Sequence, residues 1–263
     1  MTDFTTLELV LDGAVARIWL NRPEMRNAID DVFIRELGDA VTQAETTPGV
    51  RAVVLGGRGP AFCAGANLNW MKKAAEYTHD ENLQDAAGLP RMLRTLEQSR
   101  LPVIARIQGD VYAGGMGLVS VCDVAIAADT AHFCLSEVKI GLIPATISPY
   151  VIRAMGARAA QRYFLTAERF GAAEAHRIGF VHEVVAADAL DTKVDEVLRN
   201  LLAAAPGAVG ESKRLWRDVA GQPITEALNH ETVVRIATLR AGEEGREGLK
   251  SFLEKRKPSW LAR

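Results

Sequence analysis

The chain has 263 residues, 48% of them hydrophobic, which is enough to bury one large core and excludes a disordered polypeptide. Lys and Arg total 31 against 33 Asp and Glu, a formal charge of -2, so the surface as a whole is not the electropositive footprint of a nucleic-acid binder and a polyanionic partner has to be held locally. Met1-Thr2-Asp3-Phe4 lacks the basic and apolar regions of a leader, no segment approaches the ~20 apolar residues that span a bilayer, and Cys63, Cys122 and Cys134 show no CxxC spacing; a cytoplasmic chain with reduced thiols, no membrane and no metal is expected.

In chain order, residues 7–11 and 14–20 flank Asp12-Gly13, a pair that accepts the positive φ angles of a tight turn, so the chain opens on a hairpin. From Asp30, apolar Phe33, Leu37, Ala40, Val41 and Ala44 recur at helical spacing until Pro48-Gly49 closes the segment. A short buried strand over 51–55 starts a form that repeats: apolar run, glycine-rich loop, helix. The first leads through Gly56-Gly57-Arg58-Gly59-Pro60 to a helix expected over 67–77, and 102–107 leads to Gly109 and Gly114-Gly115. Runs at 124–128 and 132–135 follow. These runs are too apolar to have one wet face, so they belong in sheets covered on both sides, and recurring strand-strand-helix units imply a coiled α/β stack. Ser148 as N-cap with Pro149 at the first helical position starts a helical region to about Ala167. After the run at 181–185 nearly everything reads as helix, with Pro206 and Pro223 as starts. An α/β body over 1–200 and a helical part over 201–263 are expected, without a long linker.

Two glycine-rich elbows carry the chemistry. In Ala61-Phe62-Cys63-Ala64-Gly65-Ala66-Asn67-Leu68-Asn69-Trp70, small residues let another molecule approach the main chain and Asn67 is placed to cap the next helix. The second, Gly109-Asp110-Val111-Tyr112-Ala113-Gly114-Gly115-Met116-Gly117-Leu118, again hands a strand to a helix. Each helix start offers free N–H groups, and two converging on one oxygen stabilise negative charge there. Either elbow alone reads equally well as a turn packed for folding. Nucleotide binding is disfavoured: Gly57-Arg58-Gly59-Pro60-Ala61-Phe62 lacks the third glycine of GxGxxG and inserts a proline at the helix start, and the Walker spacing is missing.

With both elbows followed by Cys122-Asp123 and by the stretch from Phe133-Cys134-Leu135-Ser136-Glu137 to Ile143-Pro144, the chain resembles the enoyl-CoA hydratase/isomerase (crotonase) superfamily, from Leu20-Asn21-Arg22-Pro23 to Glu254-Lys255-Arg256. The resemblance implies an α/β fold of stacked strand-strand-helix units with a helical C-terminal trimerisation part, often paired into hexamers. It implies that Ala66 and Gly114 supply two oxyanion-hole N–H groups and that the substrate is an acyl-CoA, with no other cofactor. Ala64, Asn67, Leu68, Asn69, Gly115 and Gly117 would line the acyl-CoA site, with Arg26 and Ala28 near the nucleotide end and Lys255 at a CoA phosphate. Many members carry Asp where this chain has Asn67. Asn67-Leu68-Asn69-Trp70-Met71-Lys72 and Ile143-Pro144-Ala145-Thr146-Ile147-Ser148-Pro149-Tyr150 look like bacterial methylglutaconyl-CoA hydratases of leucine breakdown.

Well-known hydratases of the family use two glutamates. Counting from Cys122-Asp123, the later one falls on Glu137, but the first position is Gly117. Hydration with one carboxylate asks Glu137 to take a proton from water and return one to the α-carbon on the same face, whereas moving a double bond needs only one base that shuttles one proton. Mechanism alone leans to a Δ3,Δ2-enoyl-CoA isomerase; the closer resemblance leans to a hydratase, which is preferred. A catalytically weak acyl-CoA binding protein is a third reading. Glu137 also reads as a surface carboxylate paired with Lys139. The five histidines show no metal-ligand spacing, GxSxG is missing, and Cys63 reads as small-residue packing rather than a nucleophile. Trp70-Met71-Lys72-Lys73 either covers the acyl pocket, with Lys72 or Lys73 on a substrate carboxylate, or faces solvent.

Overall fold

The computed structural model describes residues 3–261. Met1, Thr2, Ala262 and Arg263, and with them half of the Met1-to-Phe4 start and the outer ends of the 1–200 and 201–263 division, lie outside the described residues.

The opening hairpin is β1 (Leu7–Asp12) against β2 (Val15–Leu20), antiparallel with Leu7 opposite Leu20. Gly13 turns the corner at φ 57, a conformation in which a side chain is strained. In α1 (Asp31–Thr46) the periodic residues Phe33, Leu37, Ala40, Val41 and Ala44 form the buried face, and Asp30 caps the helix by accepting from the Phe33 N–H at 3.0 Å. The chain continues through β3 (Ala52–Gly57) and β4 (Ala61–Cys63). The helix expected over 67–77 is α2 (Leu68–Ala74), which stops three residues early, and α3 (His79–Ala86) lies beyond the expected range. α3 is started by Thr78, whose extended backbone and reciprocal bonds with Glu81 form a capping box. Then come α4 (Gly88–Gln98), β5 (Val103–Ile107), β6 (Asp110–Tyr112), α5 (Gly114–Ser120), β7 (Val124–Ala128) and β8 (His132–Cys134).

The helical region before Ala167 is α6 (Ser148–Met155) and α7 (Ala157–Thr166), broken at Gly156 with φ 80. Ser148 is the first helical residue rather than the cap: Ile147 holds the cap position, and the Ser148 hydroxyl donates back to the Ala145 carbonyl at 2.8 Å. After β9 (Phe170–Gly171), α8 (Ala172–Arg177) and β10 (Glu183–Val185), the described chain continues from Leu190 as α9 (Leu190–Ala203), α10 (Pro206–Val219), α11 (Glu226–Ala241) and α12 (Glu243–Leu253). Pro206 opens α10 as expected, while Pro223 precedes α11, which is capped by Thr225.

The strands form two sheets. A six-stranded sheet has the order β1-β2-β3-β5-β7-β10, parallel except at the hairpin; a four-stranded sheet has the order β4-β6-β8-β9, parallel except at β9. Each repeat thus gives its first strand to the large sheet and its second to the small one. Alternation along β3 shows why the large sheet is dry on both faces: Val53 and Leu55 enter the main core, while Ala52 and Val54 enter a second core beneath Leu190, Val194 and Leu198 of α9. In the small sheet, Phe133 of β8 is fully buried and packs against Phe170 at 5.6 Å and Phe180 at 5.5 Å between ring centroids. Burying one such ring contributes about 2–3 kcal/mol, which fixes the strand that leads to Glu137.

Candidate active site

β4, β6 and β8 are neighbours in one parallel sheet, with Cys63 opposite Val111 and Tyr112 opposite Cys134. Their C-terminal ends therefore emerge side by side, the place where a parallel sheet leaves a crevice for ligands. The first elbow follows β4, the second follows β6, and Glu137 follows β8.

The first elbow is held from below by residues 22–30. Ile29 donates to the Gly65 carbonyl at 2.7 Å and accepts from the Asn67 N–H at 2.7 Å, and the Ala64 N–H donates to the Arg26 carbonyl at 3.0 Å. Ala66, between those bonds, turns its N–H to the other side, where it meets no protein acceptor among the described residues. Asn27 locks this arrangement. Buried, at φ 56, it donates its amide to the carbonyls of Arg58 (3.0 Å), Ala61 (2.9 Å) and Phe62 (3.2 Å) and accepts from the Arg22 N–H at 2.9 Å. Beside it, the Arg22 guanidinium pairs with Asp30 at 2.6 Å and donates to the Ala28 carbonyl.

Asn67 caps α2 as expected, its Oδ1 accepting from the Asn69 N–H at 2.9 Å, while its Nδ2 donates to Asp30 at 3.0 Å. That second bond explains the amide here: an Asp at 67 would set two carboxylates against each other. Burial pushes the Asp30 carboxyl up, but the hydrogen bond and charge of Arg22, the Phe33 N–H and Asn67 together bring it below the usual carboxylate range.

The two elbows press directly on one another. Gly65 sits at φ 90, and a Cβ there would stand 2.9 Å from Ala113 Cβ and 3.2 Å from the Tyr112 carbonyl; one on Gly115 would stand 2.7 Å from the Cys63 carbonyl oxygen. Ala113 adopts φ 48, ψ -118, a strained conformation for a residue with a side chain, which stores about 1–3 kcal/mol. Its own N–H donates to the Cys134 carbonyl at 2.9 Å, tying the second elbow to β8. Gly114 opens α5, so its N–H has no partner within the helix, and none outside it among the described residues. Both α2 and α5 are 7 residues long. The donors thus act as individual amides rather than as the ends of long dipoles.

Glu137 begins a short 3-10 turn, Glu137–Ile140, and is half-buried. Its Oε2 is buried and without a hydrogen-bond partner, and it forms no ion pair with Lys139 among the described residues. Burial raises its pKa above the ordinary glutamate value, only partly offset by a bond from its own backbone N–H. A carboxylate with one oxygen unpartnered and held partly out of water is costly to keep, which makes Glu137 a candidate acid or base. At Gly117, one turn along α5 from Gly114, a Cβ would stand 2.5 Å from Ile147 Cγ2.

The remaining expected residues are distributed unevenly. Ala64 and Asn67 belong to the first elbow, with Leu68 and Asn69 exposed on the first turn of α2; Gly115 and Gly117 are buried where α5 packs. Arg26 is exposed at φ 55 and Ala28 is buried below the elbow. Lys255 lies exposed beyond α12, which packs on α10 and α11, and its backbone N–H donates to the Phe252 carbonyl at 3.2 Å. Trp70 is half-buried against the main core and donates to Asp85 at 2.9 Å, whereas Lys72 and Lys73 face solvent. The Cys63 thiol is pushed up to about 12 by burial, which removes it as a nucleophile. Sequence reasoning passed over Arg22, Asn27, Asp30 and Ala113. The signal for Asn27 was its place in an Arg-Asn-Ala turn between a strand and a helix, where Asn tolerates positive φ.

Against this geometry, a model of the enoyl-CoA hydratase/isomerase family matches residues 11–263. The chain belongs to that family. Among solved structures, an enoyl-CoA hydratase from Shewanella pealeana is 41% identical with a TM-score of 0.95, covering 98% of this chain and 96% of that one. Pseudomonas aeruginosa AtuE is 36% identical with a TM-score of 0.93, covering 97% and 99%. The mevalonyl-coenzyme A hydratase of Aspergillus fumigatus is 32% identical over 248 residues, 92% of this chain and 89% of the relative. The fold implied by the sequence resemblance is therefore the fold found, and the chain is an enzyme of this family.

Proposed function

We propose that this family member is a hydratase that adds water across an α,β-unsaturated acyl-CoA, with the Ala66 and Gly114 N–H groups on the thioester oxygen and Glu137 as the one acid–base group. The observation that carries this reading is that two unpartnered amides and a partly desolvated carboxylate with one oxygen unpartnered follow the ends of three adjacent strands. Glu137 takes a proton from water as the oxygen attacks the β-carbon, electron density moves onto the carbonyl oxygen, and the two amides stabilise it. Glu137 then returns the proton to the α-carbon. Each amide is worth about 3 kcal/mol of barrier, and the base about 10²- to 10⁴-fold in rate. A raised pKa suits a group that must both accept and release the proton.

In this reading Ala64, Asn67, Leu68 and Asn69 line the acyl-CoA, Gly115 and Gly117 let the elbows close, and Arg26, Ala28 and Lys255 serve the nucleotide end. The substrate is a branched diacid thioester such as 3-methylglutaconyl-CoA, which places the reaction in leucine breakdown, and the distal carboxylate holds the water with Lys72 or Lys73 as its partner. No metal or further cofactor takes part. The assembly is a trimer or a pair of trimers: α11 has no buried residue, and Val233, Val234 and Ile236 on it join Leu249, Phe252 and Leu253 of α12 as exposed apolar surface. No helix among the described residues is long and apolar enough to cross a membrane, and the cytoplasm is the compartment proposed.

The test compares 3-methylglutaconyl-CoA, crotonyl-CoA and a 3-enoyl-CoA, with Glu137→Gln as control. Hydration that is fastest with the diacid and lost in the variant is expected; equal rates for diacid and crotonyl thioesters remove the role of the distal carboxylate. Turnover of the 3-enoyl-CoA alone establishes the isomerase reading, which is favoured by the filled space at Gly117 because one base suffices for it. Tight binding without turnover of any of the three returns the binding-protein reading.

A further inference from the structure

Gly117 and Gly114 are one helical turn apart and face the same side of α5. A Cβ at 117 would meet Ile147 Cγ2 at 2.5 Å, Ile147 Cβ at 3.1 Å and Leu93 Cδ1 at 3.3 Å. Neither neighbour sits loosely. Ile147 is 1% exposed and Leu93 is fully buried in the main core. The Ile147 carbonyl accepts from Tyr150 at 3.1 Å and Val151 at 3.0 Å, which pins its backbone to the first turn of α6. The space beside residue 117 is therefore closed from two sides, by α4 and by the entry to α6, and the deficit at 117 is not an open slot.

We infer that Ile147 is a specificity-determining residue of this site: by filling the place a side chain at 117 would take, it confines acid–base chemistry to Glu137. This rests on the proposed reading of Glu137 as the proton-transfer group. A second carboxylate on α5 would change the chemistry in a recognisable way. It would hold the attacking water independently of the substrate and add its own ionisation to the pH–rate profile. The filler has to leave before the acid can enter, so the two positions are coupled and single changes do not report what the pair can do.

The experiment compares wild type, Gly117→Glu, Ile147→Gly and the double variant in hydration of crotonyl-CoA. Gly117→Glu alone is expected to lower kcat/KM at least tenfold and to lower Tm, because the new side chain meets a buried branched residue. The double variant is expected to regain at least tenfold over Gly117→Glu and to show a second ionisation in its pH–rate profile. Gly117→Glu matching the double variant in Tm, rate and pH profile would overturn the inference, as would a double variant whose profile keeps a single ionisation. Should either glutamate variant fail to fold, Gly117→Ala in wild-type and Ile147→Ala backgrounds reads the same coupling. A drop in Tm in the first background only supports it, and equal drops overturn it. Glu137→Gln in the wild-type background is the separate check on the underlying reading: full activity there removes Glu137 as the base while leaving the coupling of 117 and 147 to be read from Tm.

Discussion

Asp30 holds three groups at once, and its replacement tests how the first elbow is supported. Its carboxylate bonds the Phe33 N–H at 3.0 Å, Asn67 Nδ2 at 3.0 Å and Arg22 at 2.6 Å, with the two ion-pair side chains 11% and 13% exposed. Removing one partner of a nearly buried pair leaves the other charge uncompensated and costs about 3–5 kcal/mol. Loss of an N-cap adds about 1 kcal/mol. These overlap, and Arg22 keeps its bond to the Ala28 carbonyl, so Asp30→Ala should lose about 4 kcal/mol in urea unfolding. Adding Arg22→Met to Asp30→Ala should cost less than the sum of the two single changes, because no charge is then stranded. The stabilisation by Asp30 has a defined pH window. Its folded pKa lies below the unfolded one, so the contribution is complete above about 3.9 and is lost as pH falls through the folded value. The advantage of wild type over Asp30→Asn should shrink in that acid range. A loss below about 1 kcal/mol for Asp30→Ala, with additive double-mutant costs, would refute this account of the elbow.

Other outcomes follow from the same contacts. Glu137→Gln should lower kcat by about 10²- to 10⁴-fold without lowering Tm, since it removes a partly desolvated charge; a destabilised variant with intact kcat would contradict the site. In wild type the acid limb of the kcat profile should fall above the ordinary glutamate value, because turnover needs the deprotonated base and burial raises its pKa; for the same reason ionised Glu137 should cost stability progressively as pH rises from about 4.3 through its folded value. Gly115→Ala should cost about 1–3 kcal/mol, since its Cβ would meet the fixed Cys63 carbonyl at 2.7 Å, and Gly114→Ala less, since it meets only the movable end of Ile29 at 2.9 Å; Tm values in the reverse order would contradict the packing of the elbows. Cys63, Cys122 and Cys134 should resist a thiol reagent at pH 8 in the folded protein and react after denaturation, and rapid native labelling at Cys63 would contradict its burial.

The large sheet was legible because strands buried on both faces have no alternative to continuous apolar runs, as at 52–55 and 124–128. The elbows were legible because only small residues let two backbones touch, and Gly65 and Gly115 are where they touch. What escaped was set by distant partners. Asn27 reads as an ordinary turn residue until its carbonyl partners, 31 to 35 positions away, are in place. Gly117 reads as a missing acid until Ile147 arrives against it from the start of α6. The start of α3 at Thr78 is a different case: Thr78 with Glu81 three residues on is a capping signal within the local sequence, but α3 has no buried residue, so no apolar periodicity marks the helix that follows. Ser148 was misplaced by one position for the ordinary reason that a serine before a proline fits both the cap and the first turn.

The small sheet couples the pieces it carries. Strands β4, β6 and β8 are each only three residues long, and the segments that leave them meet at once: the elbows touch at Gly65 and Gly115, and the Ala113 N–H is tied to the Cys134 carbonyl. Grafting a different tail onto any one of these stubs would therefore disturb the segments that leave the other two. A library over residues 135–147 should therefore hold Ile147 fixed, because its side chain closes on Gly117 of the helix that Gly114 opens.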